Sequence, residues 1–98
     1  MTNRPALPQI DMPGVAARLE ALRAALGLNK GDFADSFGLD ASSYSKVIAS
    51  AKPLKSEHAY IIAERWGVTM DMIYRGDLSK MDDALRKKYI AALTQRVA

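Results

Sequence analysis

Cysteine is absent from this chain, histidine occurs once, and no hydrophobic run is long. Without cysteine there is no disulfide and no thiol nucleophile, a composition that fits a reducing compartment. A lone histidine offers no ligand pattern typical of zinc. No apolar run approaches the roughly 18 residues of a membrane span, and the N-terminal MTNRPALPQ has neither the basic stretch nor the apolar core of a secretory signal. These absences predict a cytoplasmic protein without a membrane segment.

Motifs that carry catalysis are missing as well. There is no glycine-rich phosphate loop, no HExxH pattern and no carboxylate pair with a plausible proton partner. His58 follows Glu57, but adjacent residues of a helix point about 100° apart, so the two side chains do not converge and His58 is expected on the surface. We therefore expect no enzyme activity, no metal site and no cofactor.

The remaining composition is that of a small helical domain. Of the 98 residues, 49% are hydrophobic and 26% are charged, which is typical of one globular core. Apolar residues recur three and four positions apart, and the alternation typical of strands does not occur. Candidate helix caps are Asp11 with Pro13, Asn29, Asp40 and Thr69, and Ser79 with Asp82 is expected to begin the last helix. The predicted fold is all-α, a compact bundle of five or six short helices.

Residues 30–50, KGDFADSFGLDASSYSKVIAS, carry the most informative pattern. They predict a short helix, a turn around Gly38 and a second helix, because glycine enters the left-handed conformation of such a turn without steric cost. Ala34 is expected at a tight interior position. The apolar side chains of the segment are Phe33, Phe37, Leu39, Tyr44 and Val47. This pattern is typical of a helix-turn-helix, which places its second helix in the major groove of DNA.

The charge distribution favours the same interpretation, although the net charge is only +3. Between Asp40 and Glu57 the charged residues are Lys46, Lys52 and Lys55, all at or after the second helix of the motif. Lysines at such positions attract DNA phosphates. A solvated surface could carry the same three lysines, so the pattern supports DNA binding without requiring it.

A longer stretch, GLNKGDFADSFGLDASSYSKVIASAKPLKSEHAYIIAERWGVTMDMI, resembles the Cro/lambda-repressor type of helix-turn-helix domain, often called the Xre family. It has the family's small residue at Ala34, the turn glycine at Gly38 and apolar residues at Tyr44 and Val47. The later phrase I-A-x-x-(large)-G-V-(S/T) corresponds to Ile62, Ala63, Trp66, Gly67, Val68 and Thr69. The two phrases occur in the correct order, and the resemblance covers about three fifths of the chain.

The resemblance implies binding of operator DNA by a two-fold dimer. Carried over by position, Lys30 would stand against a phosphate at the start of the first helix of the motif. Ser50 and Lys52 in the loop after the second helix would contact the DNA backbone. Residues on or near the groove-facing side of the second helix would be Ala41, Ser42, Ser43, Ser45 and Lys46.

The chain also departs from the family pattern. Lys30 stands where members often have glutamine, and Ile48 stands where they often have glutamate. The second helix lacks the Arg, Asn and Gln side chains that make bidentate contacts with bases, and Ala41 could contact only a thymine methyl group. Specificity is therefore expected from DNA shape, or from Arg4 in a minor groove. The alternatives are a solvated Arg4 and a surface that binds a protein instead of DNA.

Three aromatic residues have open alternatives. Trp66 ends an apolar helical stripe and is expected in the core, although its indole or the ring of Tyr60 could also stack on a base or ligand. Tyr44 is expected at a core position, with its hydroxyl able to reach a phosphate at the rim as the alternative.

Three segments are expected along the chain: a flexible N-terminal arm (1–12), a helix-turn-helix domain (13–77) and a C-terminal amphipathic helix (78–98). In the last segment an apolar stripe repeats every four residues, with Met81 extending it and Ile90 beside it: Leu85, Tyr89, Leu93 and Val97. The stripe is equally consistent with covering the core of the same domain and with a dimer interface.

These observations predict a sequence-specific transcriptional regulator. It would act as a homodimeric repressor or activator on double-stranded operator DNA and insert helix 41–49 into the major groove. The alternative is an antitoxin-like protein or a protein-interaction module, which would bind a protein partner through the C-terminal helix and in which DNA binding is secondary or absent.

Overall fold

Six α-helices connected by short turns build the part of the chain that the structure describes. The computed structural model describes residues 7–97, with side chains up to residue 95. The helices are α1 (Met12–Leu26), α2 (Lys30–Asp35), α3 (Ala41–Ile48), α4 (Ser56–Trp66), α5 (Met70–Arg75) and α6 (Asp83–Val97). No strand occurs within residues 7–97, so the predicted all-α class is confirmed for this range.

The predicted caps begin four of the helices. Side-chain oxygens of Asp11, Asn29, Asp40 and Thr69 each accept a hydrogen bond from a backbone N–H in the first turn of the helix that follows. Each bond satisfies a donor that has no partner within the helix. The four predicted helix caps are therefore confirmed.

The expectation that Ser79 begins the last helix is wrong. The Ser79 N–H donates to the carboxylate of Asp77 at 3.0 Å, which holds Ser79 in a turn before the helix. Asp82 is the residue that caps α6, because its carboxylate accepts from the N–H of Leu85 at 3.1 Å. The helix consequently begins at Asp83, four residues after Ser79.

Three aromatic rings from the α2–α3 region lie at the centre of the core. Phe33, Phe37 and Tyr44 are fully buried, as is Ala34. The Phe33 ring centroid lies 5.2 Å from that of Phe37 and 5.6 Å from that of Tyr44, both in the edge-to-face arrangement that aromatic pairs prefer. The surrounding buried side chains include Val15, Leu19, Leu22, Val47, Ile62, Met72 and Ile73.

The apolar stripe of α6 lies against α1 of the same chain. Tyr89 and Met81 are buried, and Leu85 and Leu93 are half-buried against the core. Ile90 remains 44% exposed. The Val97 side chain lies outside the part that the structure describes. Most of the stripe therefore covers the core of its own domain, and a dimer through α6 would have little of it left to use.

The N-terminal residues 7–11 have no regular secondary structure and lead into α1. Met12, which the predicted boundary placed in the arm, is the first residue of α1. Arg4 and the other residues of 1–6 lie outside the described range. Within residues 7–97, no helix combines the length and the apolar character needed to cross a membrane.

Candidate nucleic-acid interface

A tight turn around Gly38 joins α2 to α3. Gly38 has a φ of 85°, and no atom lies within 4 Å of where a Cβ would stand, so backbone conformation alone favours glycine here. The N–H of Leu39 donates to the carbonyl of Ala34 at 2.9 Å, which folds the turn back onto α2. The Trp66 indole N–H donates to Ser36 Oγ at 3.2 Å and attaches the turn to α4.

The two sides of α3 differ in character. Tyr44 and Val47 point into the core and are buried. Of the five residues expected to face a groove, Ser43 is half-buried; the other four are exposed, and they are Ala41, Ser42, Ser45 and Lys46. The outward side of α3 is therefore short, polar and positively charged at Lys46.

Asp40 places a negative charge at the beginning of α3. Its carboxylate accepts from the N–H of Ser43 at 2.6 Å. This bond and the Ser43 hydroxyl, with smaller contributions from Lys52 and Lys46, hold the pKa of Asp40 below its usual value of 3.8. The carboxylate is ionised at neutral pH and favourable to the helix dipole, so the first turn of α3 repels phosphate while Lys46 attracts it.

The chain leaves α3 through a strained position. Ser50 has a φ of 60°, the only positive φ among the non-glycine residues described, and its N–H donates to Val47 O at 3.0 Å. Ser50 is exposed and Lys52 is half-buried in the loop that follows. Lys30 is the exposed first residue of α2. The predicted phosphate contacts thus lie on α2 and on the loop after α3.

On the core side of α3, a buried carboxylate on α1 accepts a hydrogen bond from that helix. The Tyr44 hydroxyl donates to Glu20 Oε2 at 2.6 Å, and Arg23 donates to both carboxylate oxygens of Glu20 at 2.9 and 3.0 Å. Arg23 also donates to the carbonyl of Leu28 at 3.0 Å, just before α2. The predicted core position of Tyr44 is confirmed, and the alternative of a hydroxyl that reaches a phosphate at the rim is wrong, because this hydroxyl is buried on Glu20.

The hydrogen bonds keep Glu20 ionised in the core. Burial by itself raises the pKa of a carboxyl group, but hydrogen bonds from Arg23 and Tyr44, with the nearby charges of Arg23 and Lys30, lower the pKa of Glu20 below its ordinary value of 4.5. Burial and the bond to Glu20 raise the pKa of Tyr44 far above its usual range. The network is therefore an ionised carboxylate held by a cation and a neutral phenol at neutral pH.

No family model, curated protein or solved structure matches this chain. The resemblance to the Xre family therefore stays a prediction, and the case for a nucleic-acid interface depends on the geometry of α2 and α3. Within residues 7–97, no group of His, Cys, Asp and Glu side chains is arranged to hold a metal ion. His58 is half-buried, with its ring centroid 6.1 Å from that of Phe37.

Sequence reasoning missed Glu20 and Arg23 as residues of the site. Their spacing of three on α1 was visible, and Glu20 interrupts an apolar helical segment between Leu19 and Leu22. An acidic residue in such a segment needs a partner if it is buried. The signal could not name Tyr44 as that partner, because the two residues are 24 positions apart.

Proposed function

We propose that this chain is a transcriptional regulator that binds operator DNA through a lambda-repressor-like helix-turn-helix, with α3 in the major groove. The observation that carries the proposal is the contrast between the two sides of α3. Its inner side is fixed by the buried Tyr44, whereas its outer side exposes only short side chains and Lys46. Such a helix can approach the base edges of a groove about 12 Å wide without steric conflict.

Positive charge around α3 supplies the affinity in this proposal. Lys30 and Lys46 are exposed, and Lys52 lies in the following loop. Contacts of lysines with phosphates release counterions, so binding should weaken steeply as salt is raised. As a homodimer, the protein would contact two half-sites about one helical turn, roughly 34 Å, apart. A role on operator DNA implies that it acts in the cytoplasm.

The first test is selection of binding sites from a pool of genomic DNA fragments at several salt concentrations. Wild type is compared with a variant carrying Ser42→Ala, Ser45→Ala and Lys46→Ala, all at exposed positions of α3. We expect wild type to enrich a palindromic site and the variant to lose that enrichment while remaining folded by circular dichroism. Binding without any enriched site would contradict sequence-specific regulation.

A pair of charge-matched variants separates a defined interface from general attraction. Lys30→Ala with Lys46→Ala removes two charges from the motif, and Lys87→Ala with Lys88→Ala removes two exposed charges from α6. We expect the first pair to lower the slope of log K against log salt by about 2, and the second to leave it unchanged. Equal effects would contradict the assignment to α2 and α3, and absence of binding at low salt would favour the protein-interaction alternative.

A further inference from the structure

The outward side of α4 is apolar at its centre. Tyr60 is 56% exposed and the adjacent Ile61 is 37% exposed. With Glu64 and Arg65 they border a shallow concavity of about 340 Å³ on the surface. Neighbouring large apolar side chains that both face solvent mark an interaction surface more often than a single one does. The DNA-binding proposal makes no use of this surface.

Charged residues flank the apolar centre in a definite order. Glu57 lies in the first turn of α4 and Arg65 in the last turn, and both are exposed. Spacings of three and four residues place Glu57, Ile61 and Arg65 along one side of the helix. The order along that side is acidic, apolar, basic, and the exposed Glu64 lies beside Arg65, three residues after Ile61. A surface with this order is complementary to a copy of itself that runs in the opposite direction.

We infer that the outward side of α4 is a homodimer interface, in which two copies of the helix pack antiparallel about a two-fold axis near Ile61. Glu57 and Arg65 are each four residues from Ile61, about 6 Å along the helix axis. The axis therefore brings Glu57 of one copy opposite Arg65 of the other, twice, while Ile61 meets its counterpart in the middle and Tyr60, about 100° round the helix, borders the contact. Such an isologous contact uses the same surface on both subunits.

A second copy fits this surface better than the other candidates do. Glu57 and Glu64 make it unfavourable for DNA, which needs a surface of one positive sign. The stripe of α6, the other surface expected to form a dimer, already packs on α1. The outward side of α4 would form the dimer that the proposed function expects. This interface can be tested separately from DNA binding, because self-association is measured without DNA.

The size of the surface sets the expected affinity. A helix of 11 residues is about 16 Å long, so two of them bury less than the roughly 1,600 Å² of a standard interface. We expect a dimer that dissociates in the micromolar range or above. Sedimentation equilibrium of the whole chain without DNA, at concentrations from about 10 μM to about 1 mM, covers that range.

Charge reversal provides the decisive variants. In Glu57→Arg alone or Arg65→Glu alone, like charges meet twice across the axis, and we expect the dissociation constant to rise at least about tenfold. An equimolar mixture of the two variants would restore both pairs, so it should form a heterodimer with affinity near that of wild type. Both positions are exposed, so each variant should fold, which circular dichroism verifies.

The double variant excludes an explanation by the helix dipole. An acid in the first turn and a base in the last turn also stabilise an isolated helix. Glu57→Arg combined with Arg65→Glu reverses both, so it should be the least stable variant on heating and should nevertheless recover self-association. If self-association is no better in the double variant than in the single ones, the interface is overturned.

Other outcomes also overturn the interface. These are a wild-type chain that stays monomeric at the highest concentration, and a dimer that survives Ile61→Ser and both charge reversals. Loss of that dimer on Ile90→Glu would assign it to α6 instead. A monomer that still selects an operator overturns only the interface on α4. A dimer through α4 that binds no DNA overturns only the proposed function.

Discussion

The outward sides of α3 and α4 differ although the two helices share one core. On α3 the exposed positions carry serines, an alanine and Lys46, and the acidic residue nearest to them, Asp40, serves as the cap. On α4 they carry Tyr60 and Ile61 between charges of both signs. The first combination suits a polyanion that approaches closely, and the second suits a protein surface of matching shape and charge.

Phe37 connects the two helices on the inside. Its ring centroid lies 6.2 Å from that of Tyr44 on α3 and 6.1 Å from that of His58 on α4. The same buried ring therefore supports both surfaces. The difference teaches that the core determines where the two outward sides lie, while only the exposed side chains determine what each of them binds.

The largest expected effect is the joint loss of DNA binding and self-association in a variant with a destabilised core. Phe37→Ala should lower the free energy of unfolding by about 3–5 kcal/mol, because it leaves a cavity at a fully buried position. DNA binding and self-association should then be lost in parallel. Denaturant unfolding, with both binding measurements on the same preparation, provides the check.

Tyr60→Ala is the matched control for loss of an aromatic ring. Because Tyr60 is 56% exposed, the variant should unfold within about 0.5 kcal/mol of wild type. It should weaken self-association and leave DNA binding intact. A loss of DNA binding in this variant would contradict the separation of the two surfaces.

Variants of the Glu20 network should cause a smaller loss of stability, and they should weaken the function of α3 without affecting the outward side of α4. Glu20→Gln removes the charge that holds Arg23 and the Tyr44 hydroxyl, and should cost about 1.5–3 kcal/mol of stability at neutral pH. Tyr44→Phe should cost about 1 kcal/mol. Both should weaken DNA binding, since the network fixes α3 on α1, without changing self-association of the folded fraction. Equal losses at both surfaces would show that Glu20 supports the whole fold instead.

The pH dependence of stability gives the same network a separate readout. The folded-state pKa of Glu20 is lowered, so its contribution is present above the ordinary value of 4.5 and is lost as pH falls through the folded-state value. Glu20→Gln should therefore show a shallower loss of stability on acidification than wild type. Denaturant midpoints between neutral pH and about pH 3 measure this slope. An unchanged slope would contradict the lowered pKa.

Local signals explain why much of the fold could be predicted. A cap such as Asn29 bonds to a backbone N–H three residues away, so the start of α2 could be predicted from neighbouring residues alone. The interior positions predicted for Ala34 and Tyr44 are confirmed, because both side chains are fully buried. The prediction that Ser79 begins the last helix was wrong because its backbone N–H donates to Asp77 in a turn that precedes the helix.

Contacts between distant residues explain what could not be predicted. Glu20 meets Tyr44 across 24 positions, and nothing in the periodicity of either segment specifies that bond. The stripe through Tyr89 was visible, but which surface it covers depends on the path of the chain between α1 and α6.

Two variants of Asp40 separate the contribution of this residue to the stability of α3 from the contribution of its charge to DNA binding. Asp40→Ala should lower the stability of the protein, because the N–H of Ser43 loses its acceptor. Asp40→Asn keeps a good cap, so it should unfold close to wild type. It also removes a negative charge beside the proposed groove contact and should bind DNA more tightly than wild type. Weaker binding by Asp40→Asn would contradict an approach of phosphate to this part of α3.

The smallest expected effect is an increase in the free energy of unfolding, where the preceding variants lower it. Ser50 is a non-glycine residue in the left-handed region, where backbone strain costs about 1 kcal/mol. Glycine removes this strain but loses about 0.5 kcal/mol more backbone entropy on folding. Ser50→Gly should therefore stabilise the protein by about 0.5 kcal/mol. The neighbouring Ala49 has a φ of −84°, so Ala49→Gly should destabilise it instead. Thermal unfolding of the two variants side by side measures the difference.

DNA binding should respond to Ser50→Gly in the direction opposite to stability. If the Ser50 hydroxyl contacts the DNA backbone, its removal lowers affinity even though the fold becomes more stable. Self-association through α4 should not change. An increase of affinity in step with stability would mean that this loop only supports α3, and would remove Ser50 from the proposed interface while leaving Lys46 in it.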